Sequence, residues 1–114
     1  MFLMIIQLFK IEYKDDLLLA LKTCGIDTGC TWEGENLENA LEHDFPLFKG
    51  LIHAAHERER HCLIISTVVQ DEKTVDYLVT LLKDADIDIQ KEKILRIILL
   101  PARRIIDAEH DWQA

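Results

Sequence analysis

Five basic residues crowd the C-terminal third of the chain: Lys91, Lys93, Arg96, Arg103 and Arg104. Such a set can hold an anion, with arginine offering two parallel hydrogen bonds to a phosphate or carboxylate. The same cations can also spend their charge on neighbouring carboxylates at the surface. The histidines form a second set. His53 and His56 share one face if residues 47–57 are helical, His43 precedes them, and His61 and Cys62 follow. Imidazole with thiolate or carboxylate suits zinc or copper. However, His53, His56 and His61 match no tight ligand spacing, and an exposed polar loop end followed by a buried strand cysteine accounts for them better. No metal is therefore expected.

The nucleophiles suggest less. Cys24 and Cys30 flank a glycine-containing bend without the CxxC spacing of a redox pair, and buried thiols are expected there. Ser66 is the only serine and sits in an apolar run with no His/Asp relay nearby in sequence. The carboxylate pairs Asp15/Asp16 and Glu42/Asp44 read as solvated charges. No catalytic residues are assigned, and the chain is read as non-enzymatic.

Bulk properties narrow the partners. The chain has 114 residues, 13 basic and 21 acidic, for a net charge of −8. One domain over residues 1–114 is expected. An acidic balance argues against nucleic acid and anionic membrane surfaces, which need clustered positive charge. Three cysteines, an odd number, suit a reduced cytoplasmic setting. The apolar start, MFLMIIQLF, has no basic flank or cleavage site and reads as a strand. No segment has the length of a membrane span.

The elements that must position these residues appear in duplicate. Residues 3–27 and 64–88 align at an offset of 61, matching Asp15 with Asp76, Leu17 with Leu78, Leu21 with Leu82, Lys22 with Lys83, Ile26 with Ile87 and Asp27 with Asp88. Repetition of this kind constrains topology. Residues 2–9, 62–69 and 94–100 are continuous apolar runs, the signature of strands buried on both faces. Arg96 interrupts the last run, and Pro101 ends it. Leu17, Leu18, Leu21 and Cys24 have helical spacing, with Gly25 as the stop. Val75, Leu78, Val79, Leu82 and Ala85 repeat the pattern behind Asp71, a natural N-cap. A further strand is expected within residues 26–33.

The order is therefore βαββαβ, a ferredoxin-like α+β fold: a four-stranded antiparallel sheet with two helices on one face. Two helices cover only one face. Three strands apolar on both faces need a second cover, supplied by another part of the chain or another subunit. Between the second and third strands runs a long excursion, residues 33–60, with seven acids and three bases. A structureless loop of that length is unusual, so it is expected to be functional, mobile or partly helical. Leu37, Ala40 and Leu41 give a short helical pattern that Phe45-Pro46 breaks. Trp112, in the short polar tail, is expected to pack across a neighbour.

This order of elements resembles the nitrogen-regulatory PII-like proteins, ferredoxin-like trimers with a long loop between the second and third strands. The local likeness lies in Glu33-Gly34 at the loop entrance, Pro46-Leu47-Phe48-Lys49-Gly50 within it, after Phe45, and Leu100-Pro101 at the end of the last strand. The resemblance implies a cytoplasmic signalling protein, a homotrimer. It would sense a small anionic effector, an adenine nucleotide in the family, at subunit clefts, and present the 33–60 loop to a protein target. The implied effector residues are Gly34, Lys91, Lys93, Arg103 and Arg104. The chain departs from the family in having no glycine in residues 84–93, hence no glycine-rich phosphate nest. It also lacks the Arg-x-Arg spacing and any tyrosine in the excursion. Two alternatives stand beside this reading. One is a trimer similar to the CutA ion-tolerance family, using the loop histidines. The other is an acidic adaptor that binds no small molecule.

Overall fold

The structure is a computed structural model, and it describes residues 1–44 and 61–114. It is a mixed α+β fold. In chain order it contains β1 (Phe2–Leu8), a single 3-10 turn (Ile11–Tyr13), α1 (Lys14–Thr23), β2 (Cys30–Glu35), α2 (Leu37–Asp44), β3 (His61–Val69), α3 (Glu72–Asp84) and β4 (Leu95–Pro101). A hairpin of β5 (Arg104–Ile106) and β6 (Asp111–Gln113) closes the chain. The first four strands form one sheet in the order β2-β3-β1-β4, with every neighbouring pair antiparallel.

The apolar runs explain the centre of the sheet. β1 bonds to β3 on one side and β4 on the other, so the most apolar strand is also an interior one. Its residues alternate between faces. Met4, Ile6 and Leu8 are fully buried and point with Leu63, Ile65 and Val69 towards the helices. Against them lie Leu17, Ala20 and Leu21 from α1, and Val75, Leu78 and Leu82 from α3. Each fully buried aliphatic side chain contributes about 1.5–3 kcal/mol relative to exposure. The offset of 61 survives in three dimensions: Met4, Ile6 and Leu8 correspond to Ile65, Thr67 and Val69, all buried and all on the helix side.

The two long helices also stop in the same way. At the end of α1, Gly25 donates to the Lys22 carbonyl (3.0 Å) and Ile26 to that of Leu21 (2.9 Å). At the end of α3, Asp86 donates to Lys83 (3.0 Å) and Ile87 to Leu82 (2.8 Å). Both are Schellman stops, which place the residue after the cap in the left-handed region. Gly25 takes it at φ +77° and Asp86 at φ +63°. Glycine suffers nothing there; aspartate has a Cβ to accommodate. At the other end of α3, Asp71 is the N-cap. Its carboxylate accepts from the Thr74 N–H (3.0 Å) and the Thr74 hydroxyl (3.1 Å).

Three details differ from the sequence reading, and a fourth, the helical start of the excursion, agrees with it. The second strand lies at Cys30–Glu35 and not within 26–33, because Gly29 (φ +138°) turns the chain first. A Cβ at Gly29 would run into the Ser66 carbonyl oxygen, so only glycine lets the chain approach β3 so closely. Cys30 is exposed on this edge strand, whereas Cys62 is buried and Cys24 half-buried. The C-terminal tail forms a hairpin, in which Trp112 pairs with Ile105 of its own chain. The excursion starts as a helix: α2 contains Leu37, Ala40 and Leu41.

The described residues cover the other face of the sheet only in part. It carries Leu3 and Ile5 from β1, Ile64 and Val68 from β3, Trp32 from β2, and Ile98 and Leu100 from β4. Leu3 is 36%, Val68 43%, Leu100 47% and Trp32 48% exposed.

Two outcomes follow from the helix ends. Replacing Asp86 by glycine should raise stability by up to about 1 kcal/mol in urea unfolding, whereas Gly25→Ala should lower it. The hydrogen bonds from Thr74, chiefly its backbone N–H, hold the Asp71 carboxyl below its ordinary value of 3.8. A depressed carboxyl stabilises the fold fully above its unfolded pKa, and that contribution fades as pH falls through the folded one. Asp71→Asn keeps an N-cap acceptor without the titration. Thermal melts of the two proteins should therefore respond differently to acid only below about pH 3.8, and parallel acid responses would refute this origin.

Candidate functional site

The turn from α3 into β4 contains no glycine and is organised by a side chain. The Asp88 carboxylate accepts the Gln90 N–H at 3.2 Å, and the Asp88 carbonyl accepts the N–H groups of Lys91 and Glu92. This Asx-type turn does the local work that a glycine would otherwise do. It delivers Lys93 to the start of β4, three residues before Arg96.

Those two cations share one aromatic ring. Lys93 Nζ lies 5.3 Å and Arg96 Cζ 5.5 Å from the centroid of Phe9, the residue following β1. Both distances fall in the range of cation–π attraction. Arg96 Nη1 also donates to Gln7 Oε1 at 3.4 Å. Gln7 and Arg96 are register partners on the partly covered face, so the strand pairing itself positions the guanidinium. Lys93 Nζ is 3.6 Å from Glu38 Oε1, in the first turn of α2.

These side chains line a cavity of about 470 Å³. Gly34, Asn39, Cys62 and Ile64 complete much of its wall. The volume lies within the usual range for small-molecule sites, and the mix of apolar wall and a few polar groups is typical of them. Lys91 lines an adjoining depression with Phe9, Lys93 and Arg96, and it reaches Asp88 at 4.0 Å.

Of the residues singled out in the sequence, Gly34, Lys91 and Lys93 thus come to one end of the sheet. Arg103 and Arg104 do not. They follow the opposite end of β4, about 20 Å away at ~3.3 Å per strand residue. Arg104 Nη2 pairs with Asp111 Oδ1 across the hairpin at 3.3 Å. Gly34 is not demanded by crowding, because a Cβ there would meet Cys62 Sγ at an ordinary 3.5 Å. Glu33 lies exposed on β2 opposite Leu63. The expectations for Phe45, Pro46, Leu47, Phe48, Lys49, Gly50, His53 and His56 fall outside the described residues. His61 is exposed at the start of β3. Among the described residues no three His, Cys, Asp or Glu side chains group as a metal site.

Sequence reasoning passed over Phe9, Gln7 and Glu38 as site residues. Arg96 carried a readable signal, being the one charge inside an apolar strand.

A second cavity, about 680 Å³, lies at the other end of the partly covered face, between the hairpin turn and residues Leu3, Cys30, Ser66 and Val68. Cys30 Sγ is 3.2 Å from Ser66 Oγ. Opposite them, His110 Nδ1 sits 3.0 Å from Asp107 Oδ1. The Asp107 carboxyl is held below its ordinary value, first by the Glu109 N–H and then by the side chain and N–H of His110. These contacts fold the hairpin turn.

Compared with known proteins, the chain matches no family model and no curated protein. No helix among the described residues is long and apolar enough to cross a membrane.

The cations of the first cavity are exposed and hold no part of the core. Lys93→Gln and Arg96→Gln should each change the unfolding free energy by no more than about 0.5 kcal/mol. A larger loss in urea titration would mark them as structural.

Proposed function

We propose that this chain is a PII-like regulatory protein with a ferredoxin-like core. In this reading it is non-enzymatic and works as a homotrimer. It senses a small anionic effector where subunits meet and signals through the insertion between β2 and β3.

The observation that carries the proposal is the apolar face that the described residues leave exposed. Leu3, Val68, Leu100 and Trp32 form an exposed apolar layer across all four strands. A layer of that kind normally marks an interaction surface. Its occupant in this reading is a pair of identical sheets. The sheet order β2-β3-β1-β4 supports the ferredoxin-like core, with α2 as part of the insertion and β5–β6 as an added hairpin. The cavity holding Lys93 and Arg96 supports an anionic ligand, and its position beside α2 supports a link to the insertion. Arg103 and Arg104 join the site only if a neighbouring copy brings them. Adenine nucleotide is the effector implied by the family likeness, and the Asp88-built turn is this chain's departure from a glycine-rich one.

Multi-angle light scattering after gel filtration tests the assembly. Three chains per particle are expected, with Leu100→Glu shifting the protein to monomers. A monomeric wild-type chain would overturn the trimer.

A further inference from the structure

The strand register sets two hydrogen-bonding side chains next to each other at one end of the sheet. Gln7 of β1 and Arg96 of β4 are direct partners, so both side chains leave the same face. Arg96 Nη1 donates to Gln7 Oε1 at 3.4 Å. A guanidinium has no acceptor, so the amide turns its oxygen towards Arg96 and keeps its NH2 group as a donor. The pair therefore offers donors from both members. The bond between them is long, and it uses one of five guanidinium donors. A carboxylate forms shorter, charge-assisted bonds and can take two at once, which makes it the stronger partner for Arg96.

We propose that the cavity binds a small monocarboxylic acid with an apolar body, and that Gln7 and Arg96 form the fork that takes its carboxylate. This rests on the anionic-effector reading above and names the class of ligand. Phe9 backs the fork, with Arg96 Cζ 5.5 Å and Lys93 Nζ 5.3 Å from its ring centroid. Lys93 adds its charge beside the fork, and its contact with Glu38 is left intact. The body of the acid lies against Phe9, Leu37, Cys62 and Ile64, which line the same cavity.

Two features favour one charge on an apolar body over a phosphate-rich anion. The whole chain has a net charge of −8, so its own field opposes each further negative charge on a ligand. The turn that delivers Lys93 has no glycine in residues 84–93, hence no glycine-rich backbone nest to wrap a phosphate. Apolar contact carries no such cost, and it strengthens with every methylene removed from water.

The test is a set of proton–nitrogen NMR titrations of the full chain, read at the Gln7 side-chain NH2 and the Ile64 amide. The probes are acetate, butyrate and hexanoate, with hexanol as the uncharged control and inorganic phosphate and ADP as the phosphate arms. Hexanoate is expected to shift both signals and to bind about tenfold or more tighter than acetate, with butyrate between them, since a buried methylene is worth up to about fourfold. Hexanol is expected to leave both signals in place. Arg96→Gln should weaken hexanoate about fivefold or more, and so should Gln7→Glu, which puts a second carboxylate oxygen where the amide donor stood. If hexanol binds as hexanoate does, or acetate binds as tightly, the ligand class is overturned. If hexanoate binds but neither substitution weakens it, the Gln7–Arg96 fork is wrong. If phosphate or ADP binds and no carboxylate does, the inference falls and the anionic-effector reading stands. Silence from every anion overturns both.

Discussion

A four-stranded sheet has two faces, and two helices can cover only one. In this chain the constraint is acute because β1 is apolar on both. Met4, Ile6 and Leu8 meet α1 and α3, while Leu3 and Ile5 face the other way with Ile98 and Leu100 beside them. The cover that the described residues give that second side is partial. α2 stands near Gln7, Ile64 and Arg96 at one end, and the β5–β6 hairpin leans over Leu3 and Val68 at the other. Both cavities are where these partial covers fail to meet the sheet. The location of the candidate site is thus a consequence of how the sheet is covered.

The duplicated unit explains why the sheet has this form. Each copy is a strand, a helix packed on its inner face, and a Schellman stop. The stop joins a residue after the helix to the last turn of that helix: Ile26 to Leu21 in one copy, Ile87 to Leu82 in the other. It fixes the direction in which the chain leaves. After the first copy it leads to Gly29 and into edge strand β2; after the second it leads to the Asp88 turn and into edge strand β4. The symmetry ends there. One exit approaches β3 so closely that a Cβ is excluded, and the other lifts Lys93 and Arg96 over Phe9.

Much of this was legible in the residues, for identifiable reasons. Long apolar runs and the offset of 61 marked β1, β3, β4, α1 and α3, because burial on both faces leaves little room for polar residues. Asp71 was legible as a cap because its side chain does the same job in any context. The hairpin was not, because Arg-Ile-Ile and Asp-Trp-Gln are too short to show a period of two. Their stability comes from Asp107 gathering the N–H groups of Glu109 and His110, a local bond pattern and not a hydropathy pattern. Cys30 was misplaced because its exposure depends on β2 being an edge strand, a fact of sheet order. Phe9 and Glu38 entered the site through contacts far apart in sequence.

Charge placement makes the last step. The chain is acidic, yet five of its 13 basic residues lie at the two ends of one edge strand. Lys93 and Arg96 stand at the start of β4 and face a cavity; Arg103 and Arg104 follow its end, and Arg104 is engaged with Asp111. About 20 Å of strand separates the two groups, at ~3.3 Å per residue. A molecule that fits within 470 Å³ cannot span that distance inside one chain. Within one copy, a ligand in that cavity therefore meets Lys93 and Arg96 but not Arg103 and Arg104. The other end can take part only from a neighbouring copy, so its contribution to binding depends on what covers the apolar face between them.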